Sequence, residues 1–115
     1  MAWPDIVHIF TAPEVRAIEL PQLGCVVHGC AFTAPHREDD PLAGFSAPED
    51  GRTHLRCIHG EVGKAGAYGP IDPKSLEKSG VVYAALGHVH AAGSGREGRT
   101  LWAYPGCPEG RGFDE

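Results

Sequence analysis

The sequence predicts a small α/β domain, α+β-like in layout, built mostly of short strands with one or two short helices. Three observations predict it. Sixteen glycines and ten prolines in 115 residues punctuate the chain too often for long helices and favour tight turns. A hydrophobic share of 42% is enough to bury a core, while the length allows at most one domain. Apolar, β-branched runs of strand length recur along the chain, and a capped helical stretch lies between two of them.

Taken in order, Asp5-Ile6-Val7-His8-Ile9-Phe10 reads as a strand. Val15–Leu20 alternates apolar and polar residues, the pattern of a strand with one wet face. Pro21-Gln22 is a turn, and Leu23–Gly29 a third strand; these three segments suggest an antiparallel meander. Residues 34–53 are rich in Pro, Asp, Glu and Gly and read as a long loop, with one helical turn near Pro41–Phe45. Thr53–Gly60 resumes a strand, and Gly60–Gly69 is another loop.

Asp72–Gly80 carries a full set of helix signals. Asp72 is a good N-cap, Pro73 suits the first helical position, and Gly80 is a good stop. Val81–Leu86 follows as a buried strand. Gly95-Arg96-Glu97-Gly98 reads as a hairpin turn into a last strand, Leu101–Tyr104, closed by Pro105-Gly106. Residues 1–115 are expected to form one truncated domain, because its strands begin and stop abruptly at both ends.

The formal net charge of −5 gives no unaided attraction to a polyanion. Arg52, Arg56, Arg96, Arg99 and Arg111 are scattered and read as solvated surface. No signal peptide is visible, and no apolar run approaches the ~18 residues of a membrane span. A cytoplasmic chain without membrane contact is the expectation. The four cysteines then read as buried, reduced thiols on strands. Cys25 and Cys30 make a poor zinc signal, since no second close pair completes four ligands.

The chemistry is concentrated at Gly87-His88-Val89-His90. Side chains two apart on an extended segment point the same way, so His88 and His90 present two imidazoles where a strand ends. Gly87 leaves room beside them. His59-Gly60 repeats the design at the end of an earlier strand, and ligands gather outside the carboxyl ends of strands in α/β architectures. His59, His88 and His90 are therefore the candidate metal ligands. Three histidines alone suffice for one zinc with an open position, the self-contained alternative. His8 and His28 read as core or half-buried strand residues, His36 as a loop residue and His54 as a strand start; none is read as a ligand. No acidic residue sits at a comparable strand end, and no nucleophile triad or phosphate loop is present.

In their order, His59-Gly60, Leu86-Gly87-His88-Val89-His90 and Tyr104-Pro105-Gly106 resemble the closing motifs of the calcineurin-like metallophosphoesterases. The resemblance is nearest to the bacterial DNA-repair exonuclease branch, with a similar segment in 107–115 and an opening like residues 3–10. It implies part of a β-sandwich flanked by helices. It implies two divalent metal ions, typically manganese with iron or zinc also accepted, His59 and His88 on one and His90 on the other. It implies a phosphodiesterase acting on DNA, with an ATPase partner subunit. A phosphoesterase acting on a nucleotide or other small ester, and a non-catalytic metal-binding fragment, are the alternatives. The family's earlier motifs, which supply the remaining ligands and the general acid, have no counterpart here. The chain alone is thus expected to bind metal incompletely, to contain no catalytic acid or base, and to be inactive.

Overall fold

The computed structural model describes residues 2–34, 37–63 and 69–107. The expected Pro108–Glu115 motif, His36 and Arg111 lie outside them. Six strands form a mixed sheet: β1 (Arg16–Leu20), β2 (Cys25–Gly29), β3 (Thr53–His59), β6 (Tyr83–Gly87), β7 (Gly93–Glu97) and β8 (Thr100–Tyr104). Their order is β1-β2-β3-β6-β8-β7. The four central strands β2, β3, β6 and β8 are parallel, while β1 and β7 pair antiparallel at the edges. A two-stranded ribbon, β4 (Glu61–Val62) with β5 (Pro70–Ile71), lies in the crossover from β3 to β6, followed by the helix α1 (Pro73–Lys78). This mixed sheet of short strands with one short helix is the α/β class expected, and it is compatible with a fragment of a metallophosphoesterase domain. No helix among the described residues is long and apolar enough to cross a membrane.

The helix forms where its caps direct. The Asp72 carboxylate accepts the Lys74 N–H at 2.9 Å, and Pro73 occupies the first turn. Leu76 is its buried contact with the core, which gathers Leu42, Ile58, Ile71, Ala84, Leu86 and Tyr104 on one face of the sheet. Period-two alternation sorts the central strands. On β3, His54, Arg56 and Ile58 are buried, whereas Cys57 and His59 are exposed. On β6, Ala84 and Leu86 are buried, whereas Tyr83 and Ala85 are exposed. The second face stays open among the described residues, with Tyr83 39% and Leu101 42% exposed.

Several sequence expectations are corrected. Residues 5–10 are not a strand. The Val7 N–H bonds the Pro4 carbonyl at 2.9 Å in a turn, and Ile6 and Ile9 are exposed. Strand propensity needs a neighbour to pair with, and β1 already holds the sheet edge beside β2. The three-strand meander is therefore a two-strand hairpin, whose β2 pairs on its other side with β3 in parallel. The last hairpin is longer than expected. Gly95, Arg96 and Glu97 belong to β7, and the turn moves to Gly98-Arg99, with Gly98 at φ 61°. Gly95 serves as a strand glycine: a Cβ there would meet the Trp102 ring at 2.4 Å.

Arg56 is not surface; it is 0% exposed. All four thiols are free, as expected, but Cys57 and Cys107 are exposed and Cys25 and Cys30 half-buried. Cys57 is exposed because it lies on the open face of β3.

Candidate metal centre

β3 and β6 run side by side with His59 opposite Gly87. The last residue of one strand therefore meets the first residue beyond the other. His59 Nε2 and His88 Nδ1 stand 3.3 Å apart, with ring centroids 5.0 Å apart and planes at 74°. Two imidazole nitrogens each bound at about 2.0–2.1 Å to one tetrahedral ion are separated by about 3.3–3.4 Å. The pair thus has the spacing of neighbouring ligands on a shared cation. In the metal-free chain the same spacing lets one ring donate a hydrogen bond to the other. Burial pushes the His59 pKa down from 6.5, and the facing His88 pushes it the same way. Both effects favour the neutral imidazole that metals bind.

The backbone at the pair is strained and tightly pinned. His88 has φ 101°, a conformation that no other described non-glycine residue shares and that L-residues adopt only at a cost. The Gly60 N–H bonds the Gly87 carbonyl at 3.1 Å, tying the ends of β3 and β6 together. A Cβ at Gly60 would lie 2.3 Å from the Gly69 carbonyl oxygen, so this glycine is required by close approach of backbone to backbone. At Gly87 a Cβ would meet His59 Nδ1 at an ordinary 3.5 Å. The glycine expected to make room is thus the less demanding of the two.

His88 and His90 are not presented as a period-two pair. β6 ends at Gly87, and the positive φ at His88 turns the chain away from the extended path. His88 meets His59 across the strand ends. His90 is exposed two residues further on. Among the described residues, no group of three or more His, Cys, Asp or Glu is placed to hold a metal ion. Among the described residues, the fit to a metal is therefore argued from the imidazoles of His59 and His88. Of the other histidines, His8 is exposed, and His28 and His54 are buried together elsewhere.

Two aromatic residues that the sequence does not mark as part of the site complete the surroundings. The Phe32 ring packs edge-on against His59, centroids 5.3 Å apart. The Tyr104 hydroxyl reaches the Gly60 carbonyl. Tyr104 was visible only as part of a motif; Phe32 left no signal, because its contact depends on how residues 30–34 pass over the sheet. Below the pair, the open face forms a cleft of about 440 Å³ floored by Cys57, Tyr83, Ala85 and Ala103 and walled by Phe10 and Pro105.

The chain is 27% identical over 119 aligned positions to the uncharacterized metallophosphoesterase YhaO of Bacillus subtilis (strain 168). This similarity supports a metallophosphoesterase relationship. The alignment takes in 98% of this chain and 29% of that protein, so the chain spans under a third of the relative's length. No family model and no solved structure matches the chain.

Proposed function

We propose that this chain is the C-terminal portion of a two-metal-dependent phosphodiesterase, a DNA repair exonuclease that hydrolyses phosphodiester bonds. The observation that carries the reading is the 3.3 Å approach of His59 Nε2 to His88 Nδ1 at the carboxyl ends of adjacent parallel strands. His59 and His88 would hold one divalent ion, and His90 would serve the second. Manganese is the metal proposed, with iron or zinc suited to the same imidazoles. Bound there, divalent ions would supply Lewis-acid polarisation of a phosphate and partial neutralisation of its charge. The chain's own residues contribute orientation: Gly60, Tyr104 and the strained His88 backbone hold the two rings edge-on with their nitrogens 3.3 Å apart. Hydrolysis of phosphoesters in general is supported by the similarity to the Bacillus protein. DNA as substrate and an ATPase subunit as partner rest on the motif resemblance; a cytoplasmic location is proposed from the sequence pattern, and four free thiols agree with a reducing compartment.

The family's earlier motifs, which supply the general acid, have no counterpart in this sequence, so the chain alone should bind metal weakly and turn nothing over. Calorimetry with manganese and zinc on the chain and on His59→Ala, His88→Ala and His90→Ala tests the ligands. Loss of binding in the first two variants is expected. Equal binding in all four proteins would remove the metal reading. The longer protein containing this chain, assayed with manganese, should degrade linear DNA. Turnover of bis-p-nitrophenyl phosphate without DNA degradation would favour the small-ester alternative. Clear manganese-dependent turnover by the 115-residue chain itself would overturn the division of labour proposed here.

A further inference from the structure

Beneath residues 41–47 the sheet buries a polar layer where an apolar one is the rule. His28 on β2 and His54 on β3 are 7% and 3% exposed. His28 Nε2 lies 2.9 Å from His54 Nδ1, and the rings are stacked with centroids 5.1 Å apart. His54 Nε2 lies 2.8 Å from Asp50 Oδ1. Arg52 grips the same carboxylate, donating from Nε and Nη2 to Oδ2 at 3.0 and 2.7 Å, and reaches Glu19 on β1 through Nη1 at 3.1 Å. Two carboxylates, a guanidinium and two imidazoles thus form one hydrogen-bonded line that touches three strands.

The line restricts how many protons it can hold. The arginine-held Asp50 carboxylate accepts, so His54 Nε2 carries a hydrogen. One further hydrogen fits between the two rings. Either His28 donates to a neutral His54, or a charged His54 donates to a neutral His28. Both arrangements keep the His28–His54 and His54–Asp50 hydrogen bonds. With both rings charged, two N–H groups would face each other across 2.9 Å, in a site already next to Arg56.

The 41–47 segment sits on this layer through Phe45. Its ring meets His28 edge-on, centroids 5.1 Å apart, and lies 4.8 Å from the Arg56 guanidinium carbon. The Pro41 carbonyl accepts from Arg56 Nη2 at 2.9 Å, and the Ala47 N–H bonds the Ser79 carbonyl at 2.8 Å. The charged groups that act on His28 are His54 and Arg56 from β3, and Asp50 and Arg52 from the segment before β3. The 41–47 segment itself contributes no charge, only Phe45.

We propose that His28 and His54 form an acid-operated latch for residues 41–47: charging both imidazoles breaks their shared hydrogen bond and frees Phe45, with its segment, from the sheet. The latch needs no metal and does not depend on the phosphodiesterase reading. Burial already works against a charge on His28, and His54, Arg56 and Arg52 add to that, with only Asp50 opposing. The segment is therefore held closed at neutral pH and primed to open in acid.

Amide hydrogen exchange read by NMR, with ring ¹⁵N shifts recorded in parallel between pH 7.5 and 4.5, tests the latch. After correction for intrinsic exchange, the Phe45 and Ala47 amides should lose at least tenfold protection relative to Ala85 and Leu86 on β6. That loss should coincide with charging of the second ring. His28→Gln keeps a donor for His54 Nδ1 but cannot titrate, and should abolish the differential loss. Opening that persists in His28→Gln would overturn the proposal, as would parallel loss across the whole sheet. If His28→Gln does not fold, the wild-type shifts decide: two charged rings with Phe45 protection intact, or no differential loss down to pH 4.5, overturn it.

Discussion

The Tyr104 hydroxyl donates to the Gly60 carbonyl at 2.6 Å and accepts the Val62 N–H at 3.1 Å. One phenol on β8 thereby satisfies both backbone groups flanking the turn that follows His59. It is also the means by which the far side of the sheet holds the metal-side turn in place.

Tyr104→Phe leaves a buried carbonyl and an N–H unpaired while keeping the ring. The expected loss of stability is about 1–3 kcal/mol, read as a lower urea midpoint at unchanged slope. Manganese affinity should also fall, because His59 sits on the turn that loosens. A variant as stable as the parent would show that solvent replaces the phenol freely.

Gly60→Ala should be worse. Its Cβ would lie 2.3 Å from a backbone oxygen, which cannot move without disturbing the β4–β5 ribbon. A loss of more than about 2 kcal/mol is expected, in the range of backbone-incompatible substitutions. Thermal melting of Gly60→Ala beside Gly87→Ala separates the two glycines. The Gly87 variant should be clearly the milder.

His88 should show a split between stability and binding. At φ 101° a glycine is relaxed and an alanine is not. His88→Gly should exceed His88→Ala in stability by about 1 kcal/mol, and both should lose metal binding alike. Equal melting temperatures for the two variants would mean that the strain at this position is not borne in solution.

Arg56 is buried with Nε and Nη1 lacking hydrogen-bond partners among the described residues, and burial lowers its pKa. Replacement by an apolar residue of similar length removes a desolvated charge. Arg56→Met removes that charge but also leaves the buried Pro41 carbonyl without its Nη2 donor, so it is expected to be the milder change, whereas Arg56→Ala, which also leaves a cavity beside Phe45, should cost about 2–4 kcal/mol. Chemical denaturation of both variants checks the order.

Stability should fall in mild acid. His28 has a native pKa below its unfolded 6.5, so between those values the unfolded chain binds the extra proton and the native state does not. Stability is then full above pH 6.5 and declines as the pH drops from there towards the native pKa. Asp50, whose carboxyl the Arg52 and His54 side chains hold well below the ordinary range, stays ionised throughout that window. Urea midpoints at pH 7.5 and 5.5 should differ for the parent and differ less for His28→Gln, the remaining difference coming from His59, whose pKa is also lowered.

Local signals were legible where local chemistry decides. Asp72, Pro73 and Gly80 mark α1 because caps act within one turn, and the apolar run Val81–Leu86 announces β6 by its strand length, but β6 begins at Tyr83 and only one face is buried, because the core covers one side of the sheet. The period-two reading of His88 and His90 failed for the same locality: it assumed an extended chain, and a single positive φ removes that assumption. Asp5–Phe10 has strand composition but no neighbour to pair with, which no window of sequence reveals.

Residue types and their order were enough to name His59 and His88 as candidate ligands, since an imidazole followed or preceded by glycine at a strand end is a local pattern. Their meeting, 29 residues apart in sequence, was decided by the parallel register of β3 on β6. So was the burial of Arg56 and His54, which follows from which face of β3 the core covers. Register and facing are properties of strand pairing, and pairing energy is shared between segments that are distant in the chain. That is why the chemistry could be read from composition and spacing, while its geometry belonged to the tertiary structure.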